Sequence, residues 1–166
     1  MKTINRNKTF SHRHIDVGYK DLTAETTDTG RTYNAPNGKS YPSVTTVLSI
    51  LTEDAIRSWR DRVGEEQADI VSGKASRRGT KVHSIVEKYL NNEDTSKFLP
   101  HIQQSLENLK PVLDNDIGTI FGLEVALYSD HLGVAGRCDC IAQYNGCLLY
   151  TSPSPRDLDE TSNTTN

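Results

Sequence analysis

No apolar run in the sequence approaches the length of a membrane span, and the opening residues, Met1 to Arg6, lack the apolar core of a secretory signal. Cysteine is scarce. Cys138, Cys140 and Cys147 are odd in number and crowded late in the chain, which argues against a disulfide framework and leaves no four-cysteine set for an iron–sulfur cluster. A reducing interior is the default reading. Basic charge is not in excess: 19 Lys and Arg stand against 22 Asp and Glu, a formal net charge of −3. The global basic footprint that usually announces a nucleic-acid partner is therefore missing. The distribution says more than the sum. Lys74, Arg77, Arg78 and Lys81 cluster, and Arg57, Arg60 and Arg62 lie just before them. Acids gathered around a cation would lower the net charge without preventing anion binding, because the cation restores positive potential locally.

What is present is ordinary soluble patterning in a chain of 166 residues, a length that suits one domain. Residues 1–30 are polar and weakly patterned and predict an irregular arm or short strands. Turn chemistry at Thr29-Gly30 and at Ala35-Pro36-Asn37-Gly38 brackets Arg31 to Asn34 and predicts a small hairpin running into Ser40 and Tyr41. Ser43 or Thr45 can cap a short helix through Leu51. Thr52, followed by Glu53 and Asp54, reads as a second helix start. Ile56, Trp59, Val63 and Ile70 then fall on one helical face, with Gly73 as the expected stop. Val82, Ile85, Val86, Tyr89 and Leu90 give the clearest helical spacing, ending at Asn91-Asn92. Pro100 opens another apolar stripe, and Pro111 is expected to end or kink that helix. The period then changes to two at Leu123, Val125 and Leu127. A turn at residues 129–133, a strand from Val134 to Tyr144 and a turn at Asn145-Gly146 follow. The expected fold class is α+β, with helices packed on a small mixed or antiparallel sheet.

Glu124 and Asp139 are acids in the middle of otherwise apolar strands, where acids are disfavoured. If the strands pair through the 129–133 turn, the two carboxylates converge on one hard cation, such as Mg²⁺ or Mn²⁺. Two exposed acids on a half-solvated sheet face have the same spacing. His83 and Glu87, four apart, offer a nitrogen and a carboxylate on one helix face, or a surface polar pair. Ser76, Arg77, Arg78 and Lys81 surround Gly79 at the expected front of that helix. Gly costs about 1 kcal/mol against Ala there. Close approach of a phosphate is one reason to keep it, and a solvated basic turn is the other reading. His12 and His14 are too few for a structural zinc site and read as surface residues. Cys138 and Cys140 read as buried thiols.

Four segments follow one another in a telling order: Tyr41-Pro-Ser-Val-Thr-Thr-Val-Leu48, Trp59-Arg-Asp-Arg-Val-Gly64, Ala75-Ser-Arg-Arg-Gly-Thr-Lys-Val-His83 and Gly133-Val-Ala-Gly-Arg-Cys-Asp139. Together they resemble the RecB-like nucleases of the PD-(D/E)xK superfamily, above all the mitochondrial genome maintenance exonuclease type and its phage relatives. The resemblance implies a restriction-endonuclease-like core and hydrolysis of DNA, single-stranded or at ends, in replication, repair or recombination. It implies Mg²⁺ or Mn²⁺ held by Asp139, His83 and Glu124, with Asp139 and Glu124 catalytic. It implies DNA contacts from Ser76, Arg77, Arg78 and Lys81, in a bacterial or phage-infected cell. On this reading residues 1–40 form an arm and hairpin, 41–146 a partial nuclease domain, and 147–166 a tail.

One expected part is missing. The family's next strand carries Asp/Glu-x-Lys, yet the last lysine here is Lys110. Residues 147–157 resemble instead the translation of a sequencing-library adapter, and residues 158–166 are low-complexity and polar. The tail is therefore expected to be non-native and disordered, the nuclease core incomplete, and cleavage slow or absent. Two other readings remain: a non-catalytic DNA-binding module, and a structural or interaction protein whose acids and histidine are surface decoration.

Overall fold

Turn chemistry sets the first sheet. The computed structural model describes residues 8–149. Strands β1 (Thr23–Thr27), β2 (Gly30–Asn34) and β3 (Ser40–Pro42) form an antiparallel meander, β1-β2-β3. The two expected turns thus join three strands rather than two. At Gly30 the backbone has φ of 124°, and a Cβ there would lie 2.4 Å from the Thr46 side chain, so only glycine fits.

Four helices follow: α1 (Val44–Ser49), α2 (Glu53–Val63), α3 (Glu65–Leu90) and α4 (Pro100–Asp116). Ser43 caps α1, its hydroxyl accepting from the Thr46 N–H. The break between α2 and α3 differs from expectation. It falls at Gly64, where φ of 85° ends one helix and starts the next, and not at Gly73. Helix α3 runs for 26 residues through both Gly73 and Gly79. A glycine with helical φ costs a helix only about 1 kcal/mol, whereas a residue outside the helical region must interrupt it. Ser76 to Thr80 consequently lie inside a long helix, not at its front. Helix α4 likewise passes through Pro111. Its C-terminus is held by the arm: the Lys8 ammonium donates to the carbonyls of Asp114 and Ile117 at 2.6 and 2.5 Å.

The second sheet is antiparallel in the order β4-β5-β6, from β4 (Ile117–Ser129), β5 (Val134–Tyr144) and β6 (Cys147–Leu149). The α+β class expected from the sequence is the observed one, with the strands divided between two small antiparallel sheets. Strand β6 pairs Cys147 with Tyr144 and Leu149 with Ala142, so the start of the expected disordered tail is a strand. Residues 150–166 lie outside the described ones. The polar arm is also more than an arm. Residues 11–15 hydrogen-bond alongside Ile120 and Phe121 of β4, and Phe10 is buried with Leu90 and Ile120. His12, expected at the surface, is half-buried, with Nε2 2.9 Å from the Leu90 carbonyl.

Three apolar clusters hold these parts together. Leu22 at the end of the arm, with Tyr33 and Tyr41 of the first sheet, packs on Ala126 and Ala135 of the second. Phe10 and Leu90 pack on Ile120 and Ala142. Ile85 of α3 packs on Ile102 and Leu106 of α4. The face expected on α2 is largely open: Ile56 and Ile70 are exposed and Trp59 is half-buried. Among the described residues no helix is long and apolar enough to cross a membrane.

Candidate metal centre

Strand β4 is bent where the site forms. Its pairing with β5 shifts register between Ile117 and Ile120 and again between Ile120 and Gly122. A Cβ on buried Gly122 would sit 2.4 Å from Cγ2 of Val125, so the irregular stretch needs glycine there. Glu124 follows at φ of 53°, in the left-handed region that a long side chain rarely adopts. Such a conformation persists only where its surroundings over-determine it, and it clusters at functional sites. Irregularities of this kind re-aim side chains.

The surroundings are specific. The Arg137 guanidinium donates to the Glu124 carbonyl at 2.6 Å. Its other nitrogen donates to both carboxylate oxygens of Asp21, at 2.8 and 2.9 Å. A strap from the arm through β5 therefore fixes the backbone that carries Glu124. The Arg137 contacts hold the Asp21 carboxyl below its ordinary value.

On this frame three side chains converge. His83 of α3 places Nε2 2.9 Å from Oδ1 of Asp139 on β5 and 3.5 Å from Oε1 of Glu124 on β4. One ligand atom from each of the three lies within 4.8 Å of the others. The sequence-predicted trio is thus brought together from three elements; of the two acids, Asp139 is exposed, as a half-solvated sheet face would leave it, and Glu124 is half-buried. Asp139 is 73% exposed and Glu124 29% exposed, so the cluster opens to solvent on the Asp139 side.

Glu124 Oε1 is buried and accepts no hydrogen bond from the described residues, the 3.5 Å contact with His83 being an ion-pair distance only. An unsatisfied buried acceptor costs about 1–3 kcal/mol. Burial raises the Glu124 pKa, partly offset by His83, while Asp139 and Glu87 push it further up. A divalent cation among the three donors would satisfy the orphaned oxygen and offset the carboxylate repulsion. The donor set therefore fits a divalent ion. One imidazole and two carboxylates suit Mn²⁺ better than Mg²⁺, which prefers oxygen and retains water.

No protein-family model matches the chain, and no curated protein is significantly similar to it.

The other predicted residues lie elsewhere on α3. Ser76 is exposed and falls on the His83 side, about two turns earlier. Gly79 is on that side as well, and a Cβ there would meet nothing within 4 Å. Arg77, Arg78 and Lys81 do not join the trio. At about 3.6 residues per turn they fall roughly half a turn away from His83. They line a separate groove with Lys74, Lys97 and Phe98. Cys138 and Cys140 are half-buried, and burial raises both thiols, Cys140 to about 11, which makes them unreactive. Sequence reasoning gave no role to Arg137 or Asp21. The available signal was a charged residue in mid-strand two places before Asp139.

Proposed function

We propose that this chain carries the metal-binding part of a divalent-metal-dependent DNA nuclease, acting on single strands or ends in replication, repair or recombination. The setting implied by the resemblance is the cytoplasm of a bacterial or phage-infected cell. The observation that carries the reading is the convergence of His83, Glu124 and Asp139 with one buried carboxylate oxygen left unsatisfied. The ion they would hold lowers the pKa of a bound water and neutralises charge on a phosphoryl group. Asp139, the most exposed of the three, is the ligand open to substrate. His83 and Glu124 complete the donor set, and Arg137 fixes Glu124.

The chemistry also calls for a cation that orients the attacking water. Strand β6 reads Cys147-Leu148-Leu149 and supplies neither acid nor lysine. The chain is therefore expected to cut slowly. That same observation favours a second reading, in which the fold binds metal and DNA without cutting. A cleavage assay on labelled single-stranded DNA with Mn²⁺ separates the two. The first reading expects slow Mn²⁺-dependent hydrolysis that Asp139→Ala abolishes. Retained DNA binding without hydrolysis favours the second. Hydrolysis untouched by Asp139→Ala contradicts both.

A further inference from the structure

The face of α3 turned away from His83 carries a concentration of charge that the metal centre does not explain. Between this face and the start of α4 lies a groove of about 600 Å³. Lys74, Arg77, Arg78, Lys81 and Lys97 line it together with Lys88, and no acidic residue does. Lys88 is paired with Glu93 at 2.7 Å. None of the other five forms an ion pair among the described residues, in a chain whose net charge is −3. Like charges held together without counter-charges are a cost to the fold, and the natural relief is a polyanion.

The groove has two further features of such a site. Half-buried Phe98 and 64% exposed Leu99 form an apolar wall beside the cations. Aromatic and apolar surface next to a basic track is what unpaired bases stack on, whereas a base-paired duplex hides them. Helix α4, 17 residues long, also begins at this wall, with no side-chain cap and no acid in its first turn. Its positive end adds to the potential of the lysines and arginines. From Lys74 to Lys88 the basic stripe runs about 20 Å along α3, the length of a short stretch of strand.

We infer that this groove binds a single strand of nucleic acid, phosphates on the α3 cations and bases against Phe98 and Leu99, independently of the metal centre. The choice of ligand rests on the DNA reading proposed above; what the groove adds is a binding place that needs no divalent ion and lies on the other side of α3 from His83. A strand engaged in it is anchored beside the metal centre rather than within it.

The test is fluorescence anisotropy with a labelled 20-residue oligodeoxythymidine and the full chain in EDTA, over a salt series. Lys74→Glu combined with Lys97→Glu is expected to weaken binding at least tenfold. It should also reduce the slope of log affinity against log salt by about 1.4, for two lost phosphate contacts. Arg13→Glu combined with Arg62→Glu, reversing the same charge at exposed positions outside the groove, should change affinity by less than threefold. The groove variant should melt at or above the wild-type temperature, since it removes like-charge repulsion. Unchanged affinity in the groove variant overturns the inference, as does an equal loss in the control. Full competition by millimolar inorganic phosphate also overturns it, by reducing the groove to a site for small anions. Because EDTA removes divalent ions, a chain that binds here but never cleaves defeats the nuclease reading alone.

Discussion

Glu124 concentrates the physical argument. It sits at φ of 53° with one carboxylate oxygen buried and unsatisfied, and burial raises its pKa. Each feature costs stability in the metal-free chain. Glu124→Gln removes the buried charge at similar size, so the metal-free chain should gain about 1 kcal/mol at pH 7 in denaturant unfolding. Its melting temperature should then no longer rise with Mn²⁺. A less stable variant, or one that keeps the Mn²⁺ response, would count against the account. Glu124 and Asp139 were legible in the sequence because an acid among alternating apolar residues needs a reason. The irregular backbone was not legible. It depends on Arg137 reaching the Glu124 carbonyl and on Asp21, 116 residues away, holding Arg137, and no local pattern encodes so distant a pairing.

Secondary-structure elements were legible where periodicity was strong and poorly bounded where glycine intervened. The second half of α3, the cap at Ser43 and the two turns of the first sheet follow local rules. The run of α3 through Gly73 does not, because a glycine marks a helix end only when its φ leaves the helical range, as at Gly64. That one boundary changed the reading of the basic cluster. Charges near His83 in sequence are not near it on a continuous helix.

The turns also tie the two sheets together. Asp130, in the β4–β5 turn, accepts from Lys39 at 2.9 Å, from Asn37 at 3.0 Å and from the Tyr41 hydroxyl. These partners, Tyr41 and Lys39 first, hold the Asp130 carboxyl below its ordinary value of 3.8. With the folded value below the unfolded one, the tie contributes stability above pH 3.8 and loses it as pH falls through the lowered value. Asp130→Asn should therefore lower the melting temperature at neutral pH. The gap from wild type should close as the pH is taken down through that lowered value. A gap that persists undiminished in acid would show that the tie owes nothing to the carboxylate charge.

For the whole molecule, the α+β class was readable from hydrophobic period and turn chemistry together, while β1, β6 and the break between α2 and α3 were not. The packing was less readable. The arm contributes Phe10 and Leu22 to buried clusters although its sequence is mostly polar, and backbone hydrogen bonds to Ile120 and Phe121 seat it on the second sheet beside them. Conversely, Ile56 and Ile70 of the α2–α3 stripe are left exposed although the stripe has a helical period, because periodicity specifies a face and not what covers it. The two proposed sites lie on opposite sides of α3. One side meets the sheet with His83 near Glu124 and Asp139; the other carries the basic groove.

The central claim is that His83, Glu124 and Asp139 form one divalent-cation site. Titration of the full chain with Mn²⁺, following loss of the free-ion electron paramagnetic resonance signal, tests it most directly. The account predicts one saturable site that prefers Mn²⁺ to Mg²⁺ and is weakened at least about tenfold by His83→Ala or Asp139→Ala, since each removes a direct ligand. Binding of equal strength in wild type and both variants would contradict it.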